Sequence, residues 1–315
     1  MRLWLLVVLG VSLSAGGQMS ARAAAGYQLF ARTNLIAWCI VPFDAKQRGP
    51  AERAEMVAKL GFNRVAYDWR EQHVPTFEQE ILEYQKRGLG FFAFWDTHDK
   101  AFGLFEQYGL HPQIWLTAPS PKAATREEQI QKAAALLLPV VDRTRKAGCR
   151  LSLYNHDGWG GEPENLVAVC EYLRQHYDAA HVGIVYNFHH GHGHINDFAE
   201  SLARMKPYLL CLNINGMVHD GDKQGRLILT LAQGDEELEM LRAVEKSGWR
   251  GPIGILCHRT DADAELVLAD NLDGLEWLKQ ELAKPGAGGP KPKERAPQQP
   301  APPASNPAAA SAKPN

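Results

Sequence analysis

Residues 182–194 read VGIVYNFHHGHGH. Val182 to Phe188 is a short run rich in β-branched and aromatic residues, which suits a buried strand better than a helix. Four histidines follow at once: His189, His190, His192 and His194. An apolar strand that ends in a burst of polar side chains is the unit from which the rest of the chain can be read. Seven more apolar runs of this kind occur, at Leu35–Val41, Arg64–Tyr67, Leu89–Phe94, Gln113–Leu116, Arg150–Tyr154, Tyr208–Ile214 and Pro252–Cys257. Helical patterns lie between them. Pro50 opens one that ends before Gly61. Thr76 starts a second, stopped by Gly88. Thr125 and Glu128 form a capping box ahead of a third, which Pro139 is expected to kink or split. Asp235 is placed to cap a helix ending at Gly248, and Asp261 to begin the last one.

Strands alternating with helices predict a parallel sheet with right-handed crossovers. Eight such units in the 258 residues from Gly26 to Ala283 predict a single-domain α/β fold, a closed (β/α)8 TIM barrel. No Gly-x-Gly-x-x-Gly follows the first strand, so no nucleotide cofactor is expected; Gly191-His192-Gly193 is no phosphate loop.

The ends read differently. Met1-Arg2, the apolar stretch Leu3 to Val11 and the small-x-small sites at Ala21-Arg22-Ala23 and Ala23-Ala24-Ala25 predict a signal peptide over residues 1–25. The protein is therefore expected to be exported, periplasmic or secreted. With that segment removed, no apolar run is long enough for a membrane span. Residues 284–315 hold nine Pro, eight Ala and three Gly and no aromatic residue, which predicts a disordered Pro/Ala-rich tail.

The whole chain carries 34 Lys+Arg against 36 Asp+Glu, a net charge of −2, which lacks the basic footprint of nucleic-acid binding. The five cysteines match no zinc or redox spacing and are expected as buried thiols. No feature points to an oligomeric state.

In a barrel of this kind chemistry gathers at the C-terminal strand ends. Seven of the twelve histidines (98, 156, 189, 190, 192, 194 and 258) follow a predicted strand directly. Asp68, Trp95, Asn155, His156, Trp159, Asn187, Asn213, Asn215 and His258 sit there as well. Imidazole serves as metal ligand or as acid and base near neutrality. Tryptophan faces suit the C–H surface of a sugar, and asparagines suit its hydroxyls. Plainer readings exist for each: a solvated His-rich turn, asparagines satisfying strand-end backbone, tryptophans packing the core, and Asp68 paired with Arg70.

Residues 61–66 (GFNRVA), 182–190 (VGIVYNFHH) and 248–255 (GWRGPIGI) resemble the xylose isomerase-like TIM-barrel superfamily of sugar isomerases and epimerases. The resemblance spans nearly all of Gly26 to Ala283. It implies a divalent metal at the barrel mouth and proton transfer at a carbon next to a carbonyl. Its usual ligands are a Glu ending the fifth strand, an Asp-x-x-His after the sixth, a polar residue on the seventh and a Glu on the eighth. By position these become Tyr154, Asn187-x-x-His190, Asn213 and Leu256, so only His190 is kept. Magnesium needs oxygen ligands and is expected to bind such a set poorly. A softer set drawn from His190, Asn187 and His258, or from His156, His190 and His258, suits zinc or a similar ion.

Three functions fit these residues. The first is an exported sugar isomerase or epimerase with His156 and Asp68 as proton carriers. Glu162 stands as a replacement carboxylate, unless it simply starts the helix after it. The second is a lyase or hydrolase of oxidised sugars or glycosides. The third is a non-catalytic carbohydrate-binding barrel. Trp95, Asn155, Trp159, Asn213 and Asn215 are the expected substrate contacts, and a small carbohydrate is the expected ligand.

Overall fold

A computed structural model describes residues 28–297. The expected signal peptide and the tail beyond residue 297 lie outside the described residues. Eight strands alternate with eight helices of eight residues or more: β1 (Leu35–Trp38), α1 (Pro50–Lys59), β2 (Arg64–Tyr67), α2 (Phe77–Lys86), β3 (Gly90–Trp95), α3 (Asp99–Tyr108), β4 (Gln113–Thr117), α4 (Arg126–Lys146), β5 (Arg150–Tyr154), α5 (Pro163–Tyr177), β6 (Val182–Asn187), α6 (Phe198–Met205), β7 (Leu209–Ile214), α7 (Glu237–Ser247), β8 (Ile253–Leu256) and α8 (Ala264–Ala283). Every strand pairs in parallel with its neighbours, and β1 closes on β8 through Leu35↔Ile253 to Trp38↔Leu256. The fold is the expected (β/α)8 barrel.

Two apolar layers build it. Outward strand side chains pack under the helices. Inward ones fill the barrel with Ile36, Trp38, Ala66, Ala93, Trp115, Tyr154, Val185, Cys211 and Leu256. Large rings are set against small partners, as a closed ring of strands requires. Trp38 meets Trp115 edge-on at 4.7 Å, and Trp95 meets Tyr154 at 4.8 Å. Gly254 leaves room for Asn213, whose Oδ1 would lie 1.8 Å from any Cβ added there. All five cysteines are free and buried.

Several local expectations change. β1 stops at Trp38 rather than Val41, because Cys39 takes φ +56° and leaves the strand. α4 runs unbroken through Pro139. That proline and Ala135 are both exposed, so the carbonyl that loses its helical partner is left to water. Asp235 does not cap α7, whose N-cap is Glu236. Asp261 pairs with Arg259 instead, and Asp263 caps α8 by accepting from the Glu265 N–H.

The packed unit also passes the boundary expected at Ala283. Residues 284–297 lie back against α8: the Gly286 and Gly288 N–H groups donate to Glu281, and Trp277 Nε1 donates to the Gly289 carbonyl. Buried Asp270 accepts from the Arg295 guanidinium and from the backbone N–H of Arg295 and Ala296, each at 2.8 Å. Composition missed this because the segment buries little apolar surface; carboxylates and backbone donors hold it. No helix among the described residues is long and apolar enough to cross a membrane.

Ending the chain at Ala283 strips Asp270 of all three of these donors. Compared with a chain ending at Pro297, it should lose about 1–3 kcal/mol of stability in denaturant melts.

Candidate active site

The C-terminal strand ends meet in one cup of about 100 Å³, open at its mouth, lined by Trp38, Cys39, Phe43, Asp68, Arg70, Trp95, Tyr154, His156, His189, His190 and His258. That is room for the reacting end of a small ligand rather than for a chain of sugars.

Backbone strain is concentrated here. Cys39, Asp96, Asp157 and His258 all have positive φ, four of the eight such non-glycine residues among those described. Asp157, at φ +51° and ψ 166°, occupies a region that glycine almost alone adopts. Such conformations cost energy and persist where the surroundings enforce them. They stand at the exits of β1, β3, β5 and β8, where the chain must turn and present a side chain to the mouth.

Asp68 follows β2 and is 2% exposed. Its Oδ1 accepts from the Val41 N–H at 3.2 Å, while Oδ2 has no hydrogen-bond partner. Burial pushes its carboxyl up to about 7, against the opposing pull of Arg70. The Cys39 thiol beside it is pushed well up by burial and by Asp68 itself. Asp68 is therefore poised to change protonation near neutrality, with one oxygen buried and unpartnered.

Three imidazoles face the cup in neutral form. Burial, then the neighbouring histidines, lower His190 to about 3. Burial and Arg70 lower His258 to about 4. His189 is held well below its usual range, mainly by burial. A neutral ring has one N–H to donate and one lone pair to offer. Nδ1 of both His189 and His258 lacks a partner. His156 lies against His190, with ring centres 4.3 Å apart and the ring planes tilted by 49°.

Asp157 reaches both rings. His156 Nδ1 lies 3.6 Å from one of its oxygens and His190 Nδ1 lies 3.6 Å from the other. One donor atom from each of the three falls within 4.8 Å of the others. The 3.6 Å gaps are wider than hydrogen bonds. They approach the roughly 3.4 Å edge of a tetrahedron with about 2.1 Å bonds to zinc. Two imidazoles and one carboxylate are a zinc-type donor set, with positions left for other ligands.

The four positions matched to the resemblance ligands lie at the barrel's core without charge. Asn187 Nδ2 donates to the Tyr154 hydroxyl. Asn187, Asn213 and Leu256 are buried on adjacent strands. Asn187 thus stands outside the cup's lining, bound to Tyr154, and His258 packs on Phe43 with ring centres 3.9 Å apart. Neither is in the His156–Asp157–His190 group that holds His190.

Of the residues expected from sequence, the structure brings Asp68, Trp95, His156, His190 and His258 into the cup. It places the others elsewhere. The Asn155 side chain locks β5 to β6, donating to the Asn187 carbonyl and accepting from the Asn187 N–H. Trp159 packs against the outer core. Asn215 donates to the Gly216 and Leu227 carbonyls. Glu162 is the N-cap residue of α5, and its carboxylate meets His194 at 2.8 Å outside the cup. Asp68 and Arg70 form no ion pair. Cys39, Phe43, Arg70 and Asp157 were not foreseen as site residues. Only Arg70 had a visible signal, as a charge two residues beyond Asp68.

Comparison with known proteins agrees with the architecture. No protein-family model matches the chain, and no curated protein matches it. Solved structures do. A xylose isomerase-like TIM barrel protein from Mycobacterium smegmatis in complex with magnesium is 17% identical, with a TM-score of 0.53 over 79% of this chain and 97% of that one. The 3-keto-D-glucoside 4-epimerase YcjR from E. coli is 15% identical, with a TM-score of 0.57 over 78% and 99%. An IolI protein with a bound zinc atom is 12% identical, with a TM-score of 0.60 over 79% and 99%. The chain shares the (β/α)8 barrel fold of these proteins.

Because Asp68 holds its proton from 3.8 to about 7 only when folded, the folded state binds more protons over that window. Unfolding free energy should then fall as pH rises from about 4 to about 7, by up to roughly 4 kcal/mol. Asp68→Asn should flatten this loss and melt higher than the parent at pH 8, but not at pH 4, in thermal scans.

Proposed function

We propose that this barrel is a sugar-modifying enzyme that moves a proton at a carbon next to a carbonyl of a small carbohydrate. Asp68 is the proton carrier: a carboxyl in the cup's lining, poised near neutrality and with one buried oxygen unpartnered, is the observation that carries the reading. Asp68 in its ionised form takes the proton, and the C–H electron pair becomes the C=C of an enediol. The carbonyl oxygen gains negative charge as it does so. Neutral His258, with an unpartnered ring nitrogen, can donate a hydrogen bond to that oxygen, as an uncharged imidazole is suited to do. Trp95 and Phe43 supply apolar faces and keep the site dry.

His156, Asp157 and His190 are the residues that would hold a divalent ion of the zinc kind. When bound, such an ion polarises a substrate oxygen. The epimerase and the zinc- and magnesium-bound barrels among the structural relatives support this reading by fold.

Asp68 supplies the only carboxyl among the residues lining the cup. Reversible inversion of a carbon needs proton carriers on both its faces. With His156 and His190 assigned to the metal group and His258 to the carbonyl oxygen, Asp68 is the one proton carrier this reading places at the reacting carbon, which favours chemistry on a single face, aldose–ketose isomerisation or elimination from an oxidised sugar. The amino-terminal sequence supports an exported enzyme, which suits glycan-derived substrates; sequencing the mature N-terminus from a secreting host would test this.

Incubation of the full chain in D2O with a panel of aldoses, ketoses and oxidised sugars should give deuterium at a carbon next to the carbonyl. The rate should rise with pH through about 7 as Asp68 ionises, and Asp68→Asn should lose on the order of 10²-fold or more. Binding without exchange or product would leave a carbohydrate-binding barrel instead. Elemental analysis should find a transition metal in the parent chain and a large loss in His190→Ala.

A further inference from the structure

The charges around the cup are unequal. Arg70 is the one permanently charged side chain lining the cup. No carboxylate lies within ion-pair distance of it among the described residues. Two other arginines near this end of the barrel are treated differently. Arg48 pairs with Asp44 and Asp263, and Arg259 with Asp261.

Arg70 is also held in place. Its backbone N–H donates to His73 Nδ1 at 2.9 Å, and one guanidinium nitrogen donates to the Trp69 carbonyl at 2.7 Å. Its guanidinium lies over the Phe43 ring, 5.5 Å from the centroid. One edge is used and the rest of the donor fork is unspent. A planar fork fixed on an aromatic ring is a bidentate receptor for a carboxylate.

We propose that the ligand of this cup is an acidic sugar, an aldonate or uronate, whose carboxylate is gripped by Arg70 while its neighbouring carbons lie before Asp68. This deepens the proton-transfer reading and rests on the cup being a substrate site. The carboxylate supplies the partner that the Arg70 guanidinium lacks. Arg70 and Asp68 leave the same strand two residues apart, so the anchored group and the proton carrier share one wall. A phosphate suits the site less. A dianion calls for several converging donors, a glycine-rich loop or a helix N-terminus, and the cup's lining offers one guanidinium.

Calorimetric titration of the full chain with D-glucuronate, D-gluconate, D-glucose 6-phosphate, D-glucose and D-fructose tests this. The two sugar acids should bind at least roughly tenfold more tightly than the neutral sugars, the worth of one charge-assisted bidentate contact. Arg70→Gln should lower sugar-acid affinity at least roughly tenfold more than neutral-sugar affinity in a variant that still melts cooperatively, and Arg70→Lys should restore only part of the preference. Equal binding of acids and neutral sugars, tighter binding of the sugar phosphate, or an Arg70→Gln variant that retains the preference would overturn the inference. Deuterium exchange keeps the two claims apart. Exchange into neutral sugars only would sink the acidic-substrate claim and spare the proton-transfer reading. Tight acid binding through Arg70 without exchange into any sugar would do the reverse.

Discussion

The ladder between β1 and β8 is the constraint from which the rest follows. Four register pairs, from Leu35↔Ile253 to Trp38↔Leu256, turn an open sheet into a ring. In a ring, inward side chains have nowhere to go but the axis, so their summed volume must fill it. Trp38, Trp115 and Tyr154 do so against Ala66, Ala93 and Gly254. The filling stops at the C-terminal ends, where the strands splay and the loops begin. The space left there is the cup, and its depth explains the behaviour of Asp68. A carboxyl at the exit of β2 on an open sheet edge would be hydrated; at the exit of β2 in this ring it is 2% exposed.

The sequence reveals the architecture because strand runs and their breakers are local. β2 and β5 have the bounds that residues 64–67 and 150–154 announce, since Gly, Asn and Tyr-Asn-His junctions punctuate them. The site is less legible because it depends on backbone shape and on distance. Asp157 reads as an ordinary Asp-Gly turn. Its unusual φ and ψ, which put its carboxylate between His156 and His190, arise only when β5 and β6 are side by side. Asn155 shows the opposite case. It looks like a sugar-binding amide, yet the neighbouring strand's backbone engages both ends of its side chain. Glu162 is likewise engaged by His194, 32 positions away. Polar residues at strand ends are recognisable from sequence; which of them remain unspent is a property of packing.

The uncharged base of the cup links these observations. Where the family resemblance implies carboxylates, the chain has Tyr154, Asn187 and Leu256, and the first two hydrogen-bond each other. Such a base has no formal negative charge to hold a hard cation or to keep neighbouring histidines protonated. Burial, joined by the neighbouring histidines at His190 and by Arg70 at His258, lowers the two to about 3 and about 4. They become lone-pair donors rather than cations. Ligand capacity shifts outward by one loop, to His156, Asp157 and His190, and toward softer ions. The loss of fixed negative charge also changes what the mouth attracts. In a carboxylate-lined cup Arg70 would be neutralised from within. Here its charge faces the opening with no acidic partner among the described residues, which is the ground for proposing an anionic ligand.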